Sequence, residues 1–328
     1  GIQHDATNYR GATGFDFVNL FPFDYANPDA DFSFRLPALT QQLVNQYRTT
    51  AAYVQNQMTI AGSVHLLASV RYSRLRVNEV QGGAGNDETY HEWDPRLGVT
   101  FDVTEGVSLF AGYATGSRLS IFFNGTNSPL PERSKSFEAG IKFGLTDIGL
   151  TGTIAGFSIT RTNVPTPDPT TFFTSIQTGR QRSEGIELDL IYEPSRALSL
   201  LASYAYTDAR VLEDTVIPAG SQLARVPRNR ARLAARYRVL GGELEGLEFG
   251  GGITLASGAF MSLPNGARTK GYAVADAQLS YDFGPATLAL RVDNLLNERY
   301  FLPYQYFAQD VVRPGNPRSA FLTLSFSL

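Results

Sequence analysis

Lys270-Gly-Tyr-Ala-Val-Ala-Asp-Ala-Gln-Leu-Ser-Tyr-Asp-Phe283 turns at Gly284-Pro285 into Ala286-Thr-Leu-Ala-Leu-Arg-Val-Asp-Asn-Leu-Leu-Asn-Glu-Arg-Tyr300. After a loop of about 17 residues the chain closes with Arg318-Ser-Ala-Phe-Leu-Thr-Leu-Ser-Phe-Ser-Leu328. Each arm alternates with period two, so each presents one apolar and one polar face as a strand. Ala320, Leu322, Leu324, Phe326 and Leu328 share a face against Phe321, Thr323, Ser325 and Ser327. Leu288, Leu290 and Val292 oppose Thr287, Arg291 and Asp293. Ala273, Ala275, Ala277, Leu279, Tyr281 and Phe283 oppose Asp276, Gln278, Ser280 and Asp282. Two-faced segments of about ten residues, joined alternately by tight turns and longer loops, predict a transmembrane β-barrel.

The same pattern extends back through the chain. Five further hairpins are predicted: 47–60 with 64–77, 96–103 with 107–114, 136–145 with 150–160, 182–193 with 198–207, and 229–239 with 247–256. Their tight turns include Ala61-Gly62, Thr104-Glu-Gly106 and Thr146-Asp-Ile-Gly149. With a weakly alternating strand over 1–10 and the closing arm, the count is about 14 strands, antiparallel throughout. Residues 11–46 read as a long loop, and 78–95 as another, rich in Asp and Glu around His91.

Three features favour a membrane wall over a soluble sandwich. Tyr72, Tyr113, Tyr204, Tyr206, Tyr237, Tyr272, Tyr281 and Phe283 recur near strand ends on the apolar face, as an interfacial girdle requires. Charges occupy the opposite face along whole strands: Arg71, Arg96, Glu138, Lys142, Glu187, Asp189, Arg232, Arg236, Asp276, Arg291 and Asp293. A dry sandwich core excludes these, whereas a water-filled or plugged lumen accommodates them as cross-strand ion pairs. Finally, short and long connections alternate. A propeller is disfavoured by a single Trp and by two strands per unit.

Several quoted segments resemble TonB-dependent outer-membrane receptors of the ferric-siderophore type. Asn294-Leu-Leu-Asn-Glu-Arg-Tyr300 is similar to the element near the end of their barrel. Ser134-Lys-Ser-Phe-Glu-Ala-Gly-Ile-Lys142 and Arg182-Ser-Glu-Gly-Ile-Glu-Leu188 resemble two of their strands. Ala52-Tyr-Val-Gln-Asn-Gln-Met58 and Leu66-Leu-Ala-Ser-Val-Arg-Tyr72 resemble a third hairpin, and Phe17-Val-Asn-Leu-Phe-Pro-Phe-Asp-Tyr25 an extracellular loop. The resemblance implies that residues 1–328 form the C-terminal portion of a barrel of roughly 22 strands. The N-terminal plug domain, the energy-coupling box and a signal peptide are expected to lie outside these residues. It also implies a cell outer-membrane location, contact with outer-membrane lipids, and energy from the coupling protein TonB acting through the plug.

The composition is compatible with that reading. The formal net charge is −3 and charged residues make up 18%, with no basic run to attract nucleic acid. There is no cysteine, which excludes disulfides and thiolate metal sites. No apolar run is long enough for a spanning helix. Hydrolase and phosphate-loop motifs are lacking, and the histidines are His4, His65 and His91.

Recognition is therefore expected at the long-loop end. The candidates are Phe21, Phe23 and Tyr25, Trp93, Phe122 and Phe123, Phe172 and Phe173, and Tyr304, Tyr306, Phe307 and Arg313. Aromatic rings supply wide, rigid contact area at low entropic cost, suited to an amphipathic chelate. Arg118, Arg180, Arg210, Arg225 and Arg313, at loop bases, suit an anionic one. Iron enters only as part of a bound ferric chelate; no resident cofactor, metal site or catalytic residue is predicted. The alternatives are a passive porin-like channel, or a receptor for another ligand such as cobalamin or a glycan.

Overall fold

The computed structural model describes residues 1–13, 41–81, 84–120, 129–167, 175–306 and 309–326. Fourteen strands form one antiparallel sheet in sequence order: β1 (Ile2–Thr13), β2 (Gln41–Ile60), β3 (Val64–Gln81), β4 (Ala84–Thr104), β5 (Val107–Arg118), β6 (Glu132–Leu145) and β7 (Leu150–Pro167). It continues with β8 (Ser175–Tyr192), β9 (Leu198–Glu213), β10 (Asn229–Arg238), β11 (Leu247–Ala256), β12 (Tyr272–Asp282) and β13 (Ala286–Asp293). Its last member is β16 (Ser319–Phe326), while β14 (Phe301–Tyr306) and β15 (Gln309–Pro314) form a separate hairpin.

Register locks the two faces. Val64 lies opposite Phe101, Phe101 opposite Leu109, Leu109 opposite Ile141, Ile141 opposite Ile154, and Ile154 opposite Leu188. Farther on, Phe249, Leu279, Leu290 and Leu322 stand in one row. A one-residue slip would turn every such side chain to the other face, so this matching fixes the pairing. The row is not a core: Leu322 is 71% exposed, and Phe249 and Leu279 are each 46% exposed. An apolar band running across the whole sheet is far larger than a water-soluble surface tolerates, and its natural solvent is lipid.

Strand length separates the membrane part from the rest. About 9–11 tilted residues cross a bilayer, whereas β2, β3, β4, β7 and β8 run to 18–21. They overrun at the long-loop end. With the exception of Ala155, the buried apolar residues lie there too, among them Tyr47, Ala51, Leu75, Val77, Val164, Ala209 and Val211. Side-chain packing is thus concentrated at the mouth.

The polar face shows why two of the resemblance segments carry glycine. Phe110 lies against Gly140, where a Cβ would come within 2.9 Å of the ring, and Lys142 sits 4.8 Å above that ring. Phe157 lies against Gly185 in the same way, at 3.0 Å. Each glycine hosts an aromatic ring from the neighbouring strand.

Four expectations need correction. β1 extends to Thr13 and β2 begins at Gln41, so the first long loop is shorter at both ends. The acidic segment around His91 is not a loop but part of β4, paired with β3 from Ala84 onward. The arm after Gly284-Pro285 stops at Asp293, because Asn294 takes a left-handed φ of 50°. The final loop is largely the β14–β15 hairpin.

Candidate functional site at the long-loop end

Three amide side chains fasten the long connections, each gripping main chain at two or more points. The Gln177 side chain accepts from the Leu130 N–H (2.5 Å) and donates to the Leu130 carbonyl (2.8 Å), tying the 119–131 connection to β8. Asn265 accepts from the Gln222 N–H and donates to its carbonyl, both at 2.7 Å, joining the 214–228 and 257–271 connections. Asn294 is 3% exposed; it accepts from the Glu298 N–H (2.8 Å) and donates to the carbonyls of Glu298 and Asn316 (both 2.9 Å). Asn is tolerated at its left-handed φ because its short polar side chain bonds locally.

Asn294 explains the most family-like segment. It closes the base of the β14–β15 hairpin, and Asn297, also left-handed at φ 54°, accepts from the Arg318 N–H at 3.2 Å. The Tyr300 ring covers Gly315 and packs 4.5 Å from Tyr272. The segment 294–300 is an architectural turn.

Carboxylates brace the same region. The buried Glu132 carboxylate accepts from Arg118 (3.0 Å), Ser120 (2.8 Å) and Arg161. Burial works against its charge, but the bonds from Arg161, Ser120 and Arg118 together outweigh that penalty and hold its pKa below the ordinary glutamate value. Arg133 forks onto buried Glu92 at 2.9 and 2.8 Å. Asp208 takes Arg210 at 3.0 and 2.9 Å, with Arg228 at 3.6 Å.

The loop-base arginines therefore separate. Arg118, Arg180 and Arg210 are committed to Glu132, Glu213 and Asp208. Arg225 has a left-handed φ of 66°, and its N–H donates to the Phe260 carbonyl. Arg313 has no ion pair among the described residues. Register puts Arg313 opposite Leu302 and Tyr304 opposite Val311, so Tyr304 and Arg313 share one face of the hairpin, with Tyr304 49% exposed. Tyr306 pairs with Gln309 at the hairpin's far end. Trp93, expected in a loop, lies within β4 on the apolar face, 4.9 Å from Tyr72 and 64% exposed. That is a girdle position. Phe21, Phe23, Tyr25, Phe122, Phe123, Phe172, Phe173 and Phe307 fall outside the described residues.

On the polar face, Arg232 forks onto Asp276 at 2.7 and 2.9 Å and donates to Thr254 at 3.0 Å, spanning β10 to β12. Arg291 binds Asp293 at 2.7 Å within β13, and Arg236 approaches Glu193 at 4.0 Å. Arg71 bonds to Gln3 (2.7 Å) and Ser73 (3.0 Å). Among the described residues Arg96, Glu138, Glu187 and Asp189 have no ion pair. His65 has both ring nitrogens engaged, by Asp102 (2.8 Å) and Thr59 (3.0 Å), so neither is open to a substrate as a base. The long-range amide staples, Glu132 and Glu92 escaped the sequence reading, since such contacts leave no local signature.

With this geometry in view, the comparisons are consistent with one another. The family model "TonB dependent receptor-like, beta-barrel" matches residues 2–295. The metal-pseudopaline receptor of Pseudomonas aeruginosa is 31% identical over 293 residues, covering 85% of this chain and 40% of that protein. The ferrichrome outer membrane transporter/phage receptor of Escherichia coli is 29% identical over 296 residues, covering 86% and 39%. Among solved structures, the ferric-catecholate import receptor of Escherichia coli superposes with a TM-score of 0.77 at 19% identity, covering 98% of this chain and 50% of that one. The siderophore receptor PiuA of Acinetobacter baumannii gives 0.76 at 22% identity, covering 87% and 44%. The chain thus spans about 40% of the length of these curated relatives. By the match over residues 2–295, the chain belongs to the TonB-dependent receptor β-barrel family of the bacterial outer membrane.

Proposed function

We propose that this chain is the C-terminal barrel portion of a receptor that binds a ferric siderophore at its long-loop end and passes it inward by energy-coupled uptake. The observation that carries the reading is the agreement of relatives named for metal chelates: metal-pseudopaline, ferrichrome and ferrioxamine B. The pinned mouth supports it. Loops fastened by Gln177, Asn265 and Asn294 hold a binding surface in one shape before the ligand arrives, which lowers the ordering cost of binding.

Within that surface, Tyr304 and Arg313 offer, side by side on one hairpin, an aromatic face and a guanidinium with no ion pair among the described residues. Phe21, Phe23, Tyr25, Phe122, Phe123, Phe172, Phe173, Tyr306 and Phe307 are the further contact candidates, and Trp93 serves the membrane interface. Iron is cargo, carried within the chelate. The coupling protein TonB acts through a plug in the whole receptor, for which the charged polar face supplies partners.

The test is radio-iron uptake by cells that express the full-length gene and lack other siderophore receptors, challenged with a panel of ferric hydroxamates, catecholates and carboxylates. Energy-dependent uptake of one class is expected. Binding of cobalamin or a glycan with no ferric chelate bound rejects the iron assignment. Steady open conductance in planar bilayers favours a passive pore.

A further inference from the structure

At the mouth, the inner face of β2, β3 and β4 carries a recess made of acceptors. Register sets Asn45 opposite Glu79, Tyr47 opposite Val77, Val77 opposite Glu88, and Leu75 opposite Tyr90. Residues directly opposite share a face, so all of these point away from the exposed Arg74 and Arg76. Asn45 is 4% exposed, Glu79 is half-buried, and Glu88 is exposed at the rim. Among the described residues the buried Asn45 Oδ1 has no hydrogen-bond partner. Native folds pair almost all such atoms, so a buried orphan acceptor marks a place where a donor arrives.

The carboxylates beside it lack a counter-charge. Glu79 Oε1 accepts from the Tyr47 hydroxyl at 2.6 Å, and among the described residues neither Glu79 nor Glu88 has an ion pair. By contrast Glu132, Glu92, Asp208 and Asp87 each hold an arginine. Burial pushes the Glu79 carboxyl above its ordinary pKa even though the Tyr47 bond works the other way. The Tyr90 hydroxyl is pushed up by burial and then by the negative charge of Glu88 and Glu79, which places both carboxylates around one ring. The recess thus gathers negative charge and an orphan acceptor on a wall whose other mouth carboxylates are neutralised.

We propose that Asn45, Glu79 and Glu88 bind an ammonium group carried on the organic scaffold of the chelate, so that the receptor selects amine-bearing ligands. The proposal rests on the chelate-receptor reading above. An ammonium offers three donors and no acceptor. One N–H suits Asn45 Oδ1 and a second suits Glu79 Oε2, which Tyr47 leaves open, while Glu88 adds attraction from the rim. Tyr47 and Tyr90 occupy the adjoining rows, and tyrosine rings favour a nearby cation. Among the described residues no three acidic or histidine side chains converge to ligate a metal, so the geometry suits an organic cation.

The experiment uses the full-length receptor in detergent, titrated at neutral pH with matched pairs of ferric hydroxamates, catecholates and carboxylates. Each pair holds a chelate with a pendant primary amine and its N-acetylated form. A hydrogen bond to a charged group corresponds to roughly ten- to hundred-fold in affinity, so within the pair that binds, the amine is preferred at least about tenfold. Glu79→Gln keeps an acceptor for Tyr47 and removes the charge; the preference then drops below about threefold. Glu88→Gln, on an exposed side chain that folding does not depend on, lowers the preference by about two- to fivefold. A native preference under tenfold overturns the proposal and leaves the chelate reading standing. So does a preference that stays above threefold in Glu79→Gln, or one that Glu88→Gln leaves unchanged. Binding of no member of any pair overturns both.

Discussion

Replacing Glu132 by Gln tests whether the mouth is braced by charge. Glutamine keeps the volume and one acceptor for Ser120, but turns a donor toward Arg161 and Arg118. A charge-assisted hydrogen bond is worth about 1.5–3 kcal/mol, which applies to Arg161 at 39% exposure only with a solvent discount. Arg118, at 67% exposure, adds well under that, about 0.2–1 kcal/mol. Relieving the burial of a carboxylate returns part of the loss. The net is about 1–2 kcal/mol, or roughly tenfold in the local opening equilibrium. Hydrogen exchange of the full-length receptor reads it at Leu130, whose N–H is held by Gln177 next to the brace. Protection there should fall about tenfold at neutral pH, while β10–β12 stay unchanged. The pKa of Glu132 is lowered on folding, so its contribution is complete above the ordinary value of 4.5 and fades as pH falls through the lower folded value. Native and variant protection should therefore converge in acid. A change under threefold at neutral pH, or a gap that survives acid undiminished, refutes the reasoning.

Asn294→Ala removes three hydrogen bonds and leaves alanine at φ 50°; a loss of about 2–4 kcal/mol is expected in denaturant unfolding, with Asn294→Gly less costly. Gly185→Ala drives a methyl into the Tyr206 carbonyl and the Phe157 ring, so about 1–3 kcal/mol of stability should go, recovered in part by Phe157→Leu; a neutral Gly185→Ala contradicts the packing. Tyr304→Ala and Arg313→Ala, on an exposed hairpin, should leave unfolding within about 0.5 kcal/mol of native while weakening chelate binding at least about tenfold. Unchanged uptake kinetics in both would remove that hairpin from the binding surface.

The sequence was most readable where the wall separates two solvents. From Ile60 and Val64 through Leu290 and Leu322, every second residue meets lipid, so the period survives without any neighbour to disguise it. Turns at Gly62, Gly106, Gly149 and Gly284 were legible because each glycine has a positive φ. Legibility failed above the membrane, where the outward face turns polar, as at Arg74 and Arg76, while Leu75 and Val77 on the inner face are buried, so the alternation inverts. There Asp87, Glu88 and Pro95 read as a loop that takes in Trp93, although the register with β3 runs unbroken to Gln81 and Ala84. The segment at Asn294 was recognisable by resemblance, yet only the hydrogen bonds reveal that it builds the hairpin base.

The amide staples have an evolutionary corollary. Gln177, Asn265 and Asn294 grip the peptide groups of Leu130, Gln222, Glu298 and Asn316 and ignore their side chains. An anchor blind to residue identity at its receiving end lets the gripped connection drift in sequence without coming loose. The gripped connections can then change in sequence while the frame held by the three carboxamides stays in place.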